Sequence, residues 1–454
     1  MKLISSFKNK YDNITYNIYE SSNGVKVTHL QNPSTINFDL SVIHLAGCAF
    51  EKNQKVSQGT AHFLEHMLLN PNSHYKDQDE INKFEQGTYK RPALNINGHT
   101  NKRCIVFEGS SNQEGTMRIL ERFEKIYDFP KKKFTTLMEK ERNIILAEKS
   151  RKVKKAENNA LMYLDFMFKG IADEFTGDTL GEIEDIKSIT VEDLEKYYKE
   201  QILSSKSLIS IQSKEILNGE VAEKIDSLSQ LFNSDSKSSF RDFTLKNVWK
   251  VGVFRDKRAN GITVYFDYIE KASKKADYKK NVLSYVCSKL LSWLSFNILR
   301  EEMGLIYNFS RSKTSNLCFK YDIYSYSFTT EKEKIKKTLE EYYKLVYIET
   351  FKFLNSKKGK EWFEDVISDY IFPTTAVYEG DKAELIAMWL LEKDEIFNYN
   401  KAVEIAKKLR IDDLQEYIKD EFEIPPHIWI EGDMNKGELK EAINSSLFSK
   451  RFNK

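Results

Sequence analysis

The 454-residue sequence has few cysteines, almost no excess of either charge and no long apolar run, and each scarcity excludes a class of protein. Its four cysteines, Cys48, Cys104, Cys287 and Cys318, lie far apart without paired spacing. That pattern excludes a disulfide framework and a Cys-x-x-Cys metal site, so we expect reduced thiols buried in the core. No uninterrupted apolar stretch approaches the roughly 20 residues that a membrane-spanning helix needs.

The charge balance and the N-terminal residues bear on partners and location. Seventy basic residues against 68 acidic ones give a formal net charge of +2, and no dense stripe of Lys and Arg with interleaved aromatics appears. Nucleic acid is therefore not an expected partner. The first residues become polar before a secretory apolar segment could form, and the first arginine is Arg91, whereas a mitochondrial transit peptide is rich in arginine. We expect a cytoplasmic protein that contacts no membrane.

The chain has enough apolar residues for a core, but it is too long for a single one. Hydrophobic residues make up 41% and aromatic residues 13% of the sequence, which excludes a largely disordered chain. A length of 454 residues exceeds what one hydrophobic core usually organises. The polar segment 233–239 is typical of a linker. We predict an N-terminal domain over 1–230, a linker over 231–245 and a C-terminal domain over 246–454.

Strands and helices are predicted in the same order on both sides of this linker. In the first part, alternation and helix-start signals predict strands at 23–29, 38–46 and 103–108, and helices from Gly59, over about 134–168 and from Thr190. In the second part they predict a strand at 261–267, a helix at about 280–302, a strand at 321–328 and a helix at 331–347. The pattern predicts an α+β fold of two structurally similar halves, each a mostly antiparallel sheet packed against helices.

The strongest chemical signal is the segment His62-Phe-Leu-Glu-His66. On a helix, His62 and His66 lie one turn apart on one face, about 5–6 Å between Cβ atoms, so both imidazoles can converge on one Zn²⁺ ion. Glu65 lies beside both and is placed to accept a proton from the attacking water rather than to bind the metal. This order inverts the commoner His-Glu-x-x-His motif and is a zinc-peptidase signature of its own. The alternative is a pair of histidines whose hydrogen bonds are satisfied within a packed helix.

A catalytic zinc site needs a third protein ligand, and the helix predicted over 134–168 offers two candidates. Glu141 and Glu148 are seven residues apart, two helical turns, so they lie nearly in line on the face that also carries Leu137 and Ile144. Burying carboxylates in this apolar stripe is costly unless a metal or a hydrogen-bond partner compensates their charge. The alternative is that both are exposed residues of a highly charged helix.

Two neighbouring motifs carry a family resemblance, Gly47-Cys-Ala-Phe-Glu51 and Gly59-Thr-Ala-His-Phe-Leu-Glu-His-Met67. Together they resemble the N-terminal half of the pitrilysin/insulinase family of zinc metallopeptidases. The resemblance implies Zn²⁺ as cofactor, with Glu148 as its third ligand beside His62 and His66. It also implies that Glu141 supports the site without binding the metal and that Glu65 is the general base.

A third segment, Asn97-Gly-His-Thr100, resembles the edge strand with which this family binds the substrate backbone. The resemblance implies substrate binding by Asn97, Gly98 and Thr100. The family pattern has alanine where this chain has Gly98, and a glycine there predicts a β-bulge. The alternative is an ordinary turn before a strand, and His99 is expected in a polar loop.

The second half contains a segment, Leu299-Arg-Glu-Glu-Met-Gly-Leu-Ile-Tyr307, that resembles the family's Arg…Gly-Leu-x-Tyr segment. By this resemblance Arg300 and Tyr307 bind the substrate and stabilise the developing oxyanion. A guanidinium and a phenol are suitable donors for a carbonyl oxygen that gains charge.

The resemblance implies a zinc-dependent endopeptidase that hydrolyses unfolded peptides inside a closed dimer chamber. The chain is about half as long as the one-piece members of the family, so we expect the half-length dimeric branch that includes the mitochondrial processing peptidase. Both a homodimer and a heterodimer with a related subunit fit this expectation. Two alternatives are a non-catalytic scaffold or peptide-binding subunit of a heterodimeric peptidase complex, and a zinc-stabilised protein without hydrolytic activity.

Overall fold

The computed structural model describes residues 1–152, 167–169, 178–235, 244–246, 251–255, 261–273, 275–317, 320–372, 379–393 and 395–452. The chain divides into two compact units. The first comprises Met1–Thr244 and Val377–Phe397, and the second comprises Leu245–Ala376 and Asn398–Lys454.

The first unit is built on a seven-stranded sheet. Strands in this part of the chain are β1 (Lys2–Lys8), β2 (Thr15–Glu20), β3 (Lys26–Gln31), β4 (Asn37–His44), β5 (Asn95–Thr100), β6 (Ile105–Asn112), the short β7 (Phe168–Lys169) and β8 (Ser207–Ser213). The order in the sheet is β1-β2-β3-β8-β4-β6-β5, and each neighbouring pair is antiparallel except β3 with β8. Consequently β5 lies at one edge of the sheet.

Helices pack against this sheet because both kinds of element bury apolar residues. The helices in this part of the chain are α1 (Thr60–Leu69), α2 (Gln78–Glu85), α3 (Thr116–Ile126), α4 (Lys131–Lys152), α5 (Ile183–Ser188), α6 (Val191–Tyr197) and α7 (Gly219–Ser229). The central strand β8 is buried along its whole length, as expected for a strand covered on both faces. In α3, Ile119, Leu120 and Phe123 are fully buried at helical spacing.

The second unit repeats this arrangement on a five-stranded sheet. Its strands follow the short β9 (Thr244–Leu245) and are β10 (Val251–Arg255), β11 (Ile262–Lys271), β12 (Asn308–Leu317), β13 (Tyr321–Thr330) and β14 (His427–Gly432). The order is β10-β14-β11-β13-β12, and only β10 with β14 is parallel. The same order and directions occur in β3-β8-β4-β6-β5 of the first unit. The predicted α+β fold with two structurally similar halves is therefore confirmed.

The remaining helices follow the same layered plan. They are α8 (Tyr278–Leu294), α9 (Ile335–Lys344), α10 (Thr350–Asn355), α11 (Lys357–Ile371), α12 (Glu379–Lys393), α13 (Tyr399–Ala406), α14 (Ile411–Glu423), α15 (Lys436–Asn444) and α16 (Leu447–Phe452). With its π-helical extension, α8 spans 25 residues to Glu302 and is long and apolar enough to cross a membrane by those two criteria. Within its apolar window, 56% is buried inside the protein, as in the core helix of a folded domain.

Helix α12 corrects the predicted domain division, because it lies in the C-terminal range but belongs to the first unit. The helix contacts β8 and β3, and its residues Ile386, Ala387 and Leu390 are buried. Arg103 of the first unit donates to Glu392 of this helix. A return of the chain to an earlier domain leaves no compositional signal, so the sequence predicted a continuous C-terminal domain instead.

Other local predictions can be compared with the residues that the structure describes. Cys48, Cys104 and Cys287 are buried reduced thiols, whereas Cys318 lies outside the described residues. The helix predicted over 134–168 begins at Lys131 and is described to Lys152. Residues 153–166 lie outside the described part, and Phe168 belongs to a strand rather than to this helix. Residues 236–243 of the predicted linker also lie outside it.

Candidate metal centre

A buried carboxylate caps the start of α1, the helix that carries the His-Phe-Leu-Glu-His segment. Glu51 is 1% exposed and accepts hydrogen bonds from the backbone N–H groups of Gly59 at 3.0 Å and Ala61 at 2.8 Å. A negative charge at this position satisfies orphan donors and complements the positive end of the helix dipole. Glu51 therefore fixes the first turn of α1, directly before His62.

The two histidines of α1 face the same direction, as their spacing predicts. The ring centroids of His62 and His66 are 4.7 Å apart with an interplanar angle of 63°. Glu148 of α4 reaches both rings: its Oε2 is 3.5 Å from Nε2 of His62 and 3.8 Å from Nε2 of His66. The ligand atoms of these three residues all lie within 4.8 Å of one another.

Glu141 takes the other nitrogen of His66 and so differs from Glu148. Its Oε2 is 3.5 Å from Nδ1 of His66, and its side chain is buried. Burial lowers the pKa of His66, but the hydrogen bond that its ring donates to the Glu141 carboxylate and the charges of the surrounding carboxylates outweigh this effect and raise the pKa above its ordinary value. A carboxylate on the second ring nitrogen is the arrangement that orients a metal-binding histidine.

Glu65 lies beside this group and outside it. Its Oε2 is 4.0 Å from Nε2 of His62 and accepts a hydrogen bond of 3.2 Å from the Thr100 hydroxyl on β5. Glu65 is 5% exposed, and burial raises the pKa of its carboxyl above the ordinary value. The carboxyl is thus held between the histidines and the edge strand.

The edge strand β5 contradicts two predictions made for this segment. Its pairing with β6 runs in regular register from Asn95 to Thr100, with Gly98 opposite Phe107, so no β-bulge occurs at the glycine. The glycine is explained by a close approach instead: a Cβ at Gly98 would lie 2.9 Å from Oε1 of Glu65. His99 is not a loop residue but lies on this strand, with Nδ1 3.4 Å from Oε1 of Glu108.

A cleft of about 720 Å³ surrounds these groups. Its lining includes every residue predicted for the site in the first half, together with segments that the motif did not reveal. The lining residues include His62, Glu65, His66, Asn97, Gly98, Thr100, Glu141, Ile144, Glu148, Asp178, Thr179 and Leu180. The edge strand and both helices thus meet in one concave site.

The predicted residues of the second half are described within their own unit. Tyr307 is 76% exposed, and the Arg300 side chain is 45% exposed. The Arg300 guanidinium lies 5.9 Å from the ring centroid of Tyr307 and 5.1 Å from that of Phe296. The two donors are therefore neighbours on an accessible surface of the second unit.

The donor set of His62, His66 and Glu148 fits a divalent metal ion. Two imidazole nitrogens and one carboxylate oxygen leave further coordination positions open, and ligands about 2.1 Å from a tetrahedral ion lie about 3.4 Å apart, close to the separations observed. Within the described residues, these three are the group of His, Cys, Asp and Glu close enough to hold a metal.

Sequence reasoning missed three contributors to the centre. Glu51 belonged to a recognised motif, but its capping role depends on a contact eight residues away. Asp178 and Leu180 line the cleft from a segment without any motif. The one available signal was the Gly59-Thr60 helix start, since a glycine at such a position permits close approach of another backbone.

Comparisons with known proteins found one matching family model and several solved structures with the same fold. Residues 29–168 match the sequence model of the family Insulinase (Peptidase family M16). No curated protein matches the chain by sequence.

Several solved structures share the fold over nearly the whole chain. A peptidase M16 inactive domain from Pseudomonas fluorescens is 14% identical with a TM-score of 0.74, covering 92% of this chain and 98% of that one. The first half of the periplasmic protease PqqL from Escherichia coli is 13% identical with a TM-score of 0.73, covering 98% and 95%. Pitrilysin is 13% identical with a TM-score of 0.73, and 95% of this chain aligns with 47% of pitrilysin. The chain thus spans about half the length of pitrilysin.

Proposed function

We propose that this chain, which belongs to the pitrilysin/insulinase-type peptidase family M16, is a zinc-dependent endopeptidase that hydrolyses unfolded peptides. The observation that carries the proposal is the convergence of His62, His66 and Glu148 beside the buried carboxyl of Glu65. A chain that had lost hydrolysis would be free to lose any of these four groups, and here all four are present in one cleft.

The proposed metal is Zn²⁺, because two imidazoles and one carboxylate with open positions are a catalytic zinc donor set. His62, His66 and Glu148 would hold it, and the contact of Glu141 with Nδ1 of His66 leaves Nε2 of that ring for the metal. When bound, Zn²⁺ polarises a carbonyl and makes water acidic enough to lose a proton near neutral pH.

Glu65 is the proposed general base. It would accept a proton from the attacking water and pass it to the leaving amine. The contact of its buried carboxyl with His62 supports this role, because a general base must lie close to the group whose proton it takes. The Thr100 hydroxyl orients the carboxyl and links the base to the strand that would hold the substrate.

The proposed substrate site is the edge strand β5, which is paired with β6 on one side in the sheet. An extended peptide can add to such an edge through main-chain hydrogen bonds. Asn97, Gly98 and Thr100 all line the cleft, so a peptide added beside them would lie along the metal centre. This mode of binding requires an unfolded segment, because folded proteins rarely present a free strand.

Arg300 and Tyr307 would stabilise the oxyanion, and their accessibility supports a role in contacts outside their own unit. The match to about half of pitrilysin supports assembly into a dimer that encloses the chamber, either as a homodimer or with a related subunit. Sedimentation of the active species checks the assembly, and full activity in a monomer would contradict it.

The decisive experiment combines zinc content with cleavage of a quenched peptide library by the wild type, Glu65→Gln and Glu361→Gln. Glu361 is an exposed residue of α11, so its variant controls for the loss of one negative charge. We expect chelator-sensitive cleavage by the wild type and the control, and a loss of 10²- to 10⁴-fold in turnover for Glu65→Gln with its zinc retained.

The other outcomes identify the alternatives. Undiminished cleavage by Glu65→Gln would contradict the assignment of the base. Bound zinc without cleavage by the wild type would indicate a zinc-stabilised protein, and absence of both would indicate a scaffold, a role consistent with similarity to a domain described as inactive. Mass spectrometry of the library products defines the cleavage preference.

A further inference from the structure

We propose that Lys149 and Arg142 are positioning residues that set the rotation of α4 and thereby aim Glu148 and Glu141 at the histidines. Each cation directly follows one of the two carboxylates, so the pattern Glu-Arg is repeated seven residues later as Glu-Lys. Residues seven apart on an α-helix differ by only about 20° in direction, and successive residues differ by about 100°. The two cations therefore form a second line along α4, beside the line of carboxylates. This inference rests on the proposed zinc site.

The first anchor is Lys149, which is buried although it carries a charge. It is 4% exposed, and its Nζ donates to Oδ2 of Asp178 at 3.0 Å and to Oε1 of Glu182 at 3.3 Å. The Asp178 side chain is also nearly inaccessible, whereas that of Glu182 is mostly exposed. A buried ammonium requires such a partner, so Lys149 can occupy this place only while α4 faces the segment from Asp178.

The second anchor is Arg142, whose guanidinium reaches the same segment further along. It donates to the backbone carbonyls of Ile186 and Ile189, the latter at 2.9 Å. It also lies 5.4 Å from the ring centroid of Phe63, which follows His62 on α1. Both anchors therefore connect α4 to residues 178–189, which we call the clamp segment.

The clamp segment is in turn fixed against the start of α1. Gly59 has φ of 93°, and a Cβ on it would lie 2.1 Å from the carbonyl oxygen of Leu180. Gly181 has φ of 78°, and a Cβ on it would lie 2.2 Å from the carbonyl oxygen of Gln58. The Gln58 side-chain amide also donates to the carbonyl of Asp178 at 3.0 Å. The segment thus touches the helix of the histidines on one side and the helix of the carboxylates on the other.

Through these contacts, each cation restricts the rotation of α4 about its own axis. A small rotation of α4 would move Glu148 away from both His62 and His66, since a carboxylate on a helix surface turns with the helix. The anchors hold this rotation through their contacts with the clamp segment.

The test measures Zn²⁺ affinity by competition with a chromogenic chelator for the wild type, Lys149→Met and the control Arg151→Met. Arg151 is an exposed residue of the same helix, and its variant removes the same charge. We expect Lys149→Met to weaken Zn²⁺ binding ten- to a hundredfold, the effect typical of groups that orient ligands, and Arg151→Met to bind as the wild type does. An unchanged affinity for a folded Lys149→Met would overturn the proposal.

Two further measurements separate positioning from simple stabilisation. The visible absorption of the Co²⁺-substituted protein reports ligand geometry, so its bands should shift in Lys149→Met and not in Arg151→Met. If Lys149→Met does not fold, Asp178→Asn tests the same contact from the other side, and Lys149→Arg should restore much of the affinity. Unshifted Co²⁺ bands in every folded variant would also overturn the proposal. A wild type that binds no Zn²⁺ would instead refute the zinc site itself.

Discussion

The two halves of the chain share a strand order but differ in what their equivalent helices carry. In the first, α1 connects β4 to the edge strand β5 and presents His62, Glu65 and His66 to a cleft. In the second, α8 connects β11 to the edge strand β12, and residues such as Val286 and Leu290 are buried in the core. The shared scaffold therefore does not itself produce a metal site.

A second difference concerns the helix that packs against α1 in the first unit and against α8 in the second. The first unit has α4, with the buried carboxyl of Glu141, where the second has α11 with buried Phe363 and Val366. Buried charges of the second unit are paired with one another instead: Arg311 donates to the Tyr326 hydroxyl, which donates to Glu421. In the first half, buried carboxylates therefore face a cleft, whereas in the second half these buried charges belong to a paired network.

The largest expected effect is a change of stability with pH in the second unit. It arises from the buried carboxyl of Asp267. Burial raises its pKa from 3.8 to about 6, despite the hydrogen bond of 2.6 Å that Trp429 Nε1 donates to it. Because the folded-state pKa lies above the unfolded value, the contribution of Asp267 to the free energy of unfolding is complete below pH 4. This contribution is lost as the pH rises through 6. The loss amounts to about 3 kcal/mol.

Hydrogen exchange checks this prediction, because it reports the opening of β14 and of β8 separately in the same protein. Between pH 4 and 7, the free energy of opening for β14 amides should fall more steeply in the wild type than in Asp267→Asn. Amides of β8, the equivalent strand of the first unit, should behave alike in both proteins. A wild-type β14 without this steeper fall would show that Asp267 ionises normally and would remove this contrast between the halves.

The next effect concerns Glu141, the carboxylate that orients His66. Glu141→Gln should weaken Zn²⁺ binding ten- to a hundredfold, because an amide orients the imidazole less firmly than a carboxylate. The measurement is chelator competition, with Glu361→Gln as the control, since Glu361 is an exposed residue of α11. Equal affinities for the two variants would mean that Glu141 only contributes to packing.

The smallest effect concerns Gly98 on the edge strand. In Gly98→Ala the new Cβ would approach Oε1 of Glu65 to 2.9 Å, so the carboxyl must shift. Because the displaced atom is the end of a flexible side chain, we expect little loss of stability but about a tenfold loss of turnover. Steady-state kinetics and thermal melting check this pair of expectations. A loss of stability with unchanged turnover would contradict it.

The predictions that succeeded depended on local geometry. His62 and His66 are one turn apart on α1, and Glu141 and Glu148 are two turns apart on α4. Each interval lies within one helix, so it can be predicted directly from the sequence. The topology of the halves was also accessible, since strand and helix signals repeat along the chain. The confirmed fold derives from such short-range patterns, whereas the assignment of Glu148 and Glu141 to the two histidines came from the family resemblance.

The predictions that failed depended on contacts between distant residues. A glycine at position 98 signals special geometry, but the sequence does not show that Glu65 is the neighbour that requires it. In the same way, nothing local connects Lys149 to Asp178 or places α12 with the first unit. These features result from the packing of segments that are far apart in the chain, and only the folded structure contains them.

The central claim is that one zinc ion binds per chain, in the first half and through His62. Elemental analysis of dialysed protein tests it most directly, with His74→Ala as the control because His74 is an exposed histidine of the same unit. We predict one zinc per chain for the wild type and for His74→Ala, and almost none for His62→Ala. Full zinc content in His62→Ala, or two zinc ions per wild-type chain, would contradict the account.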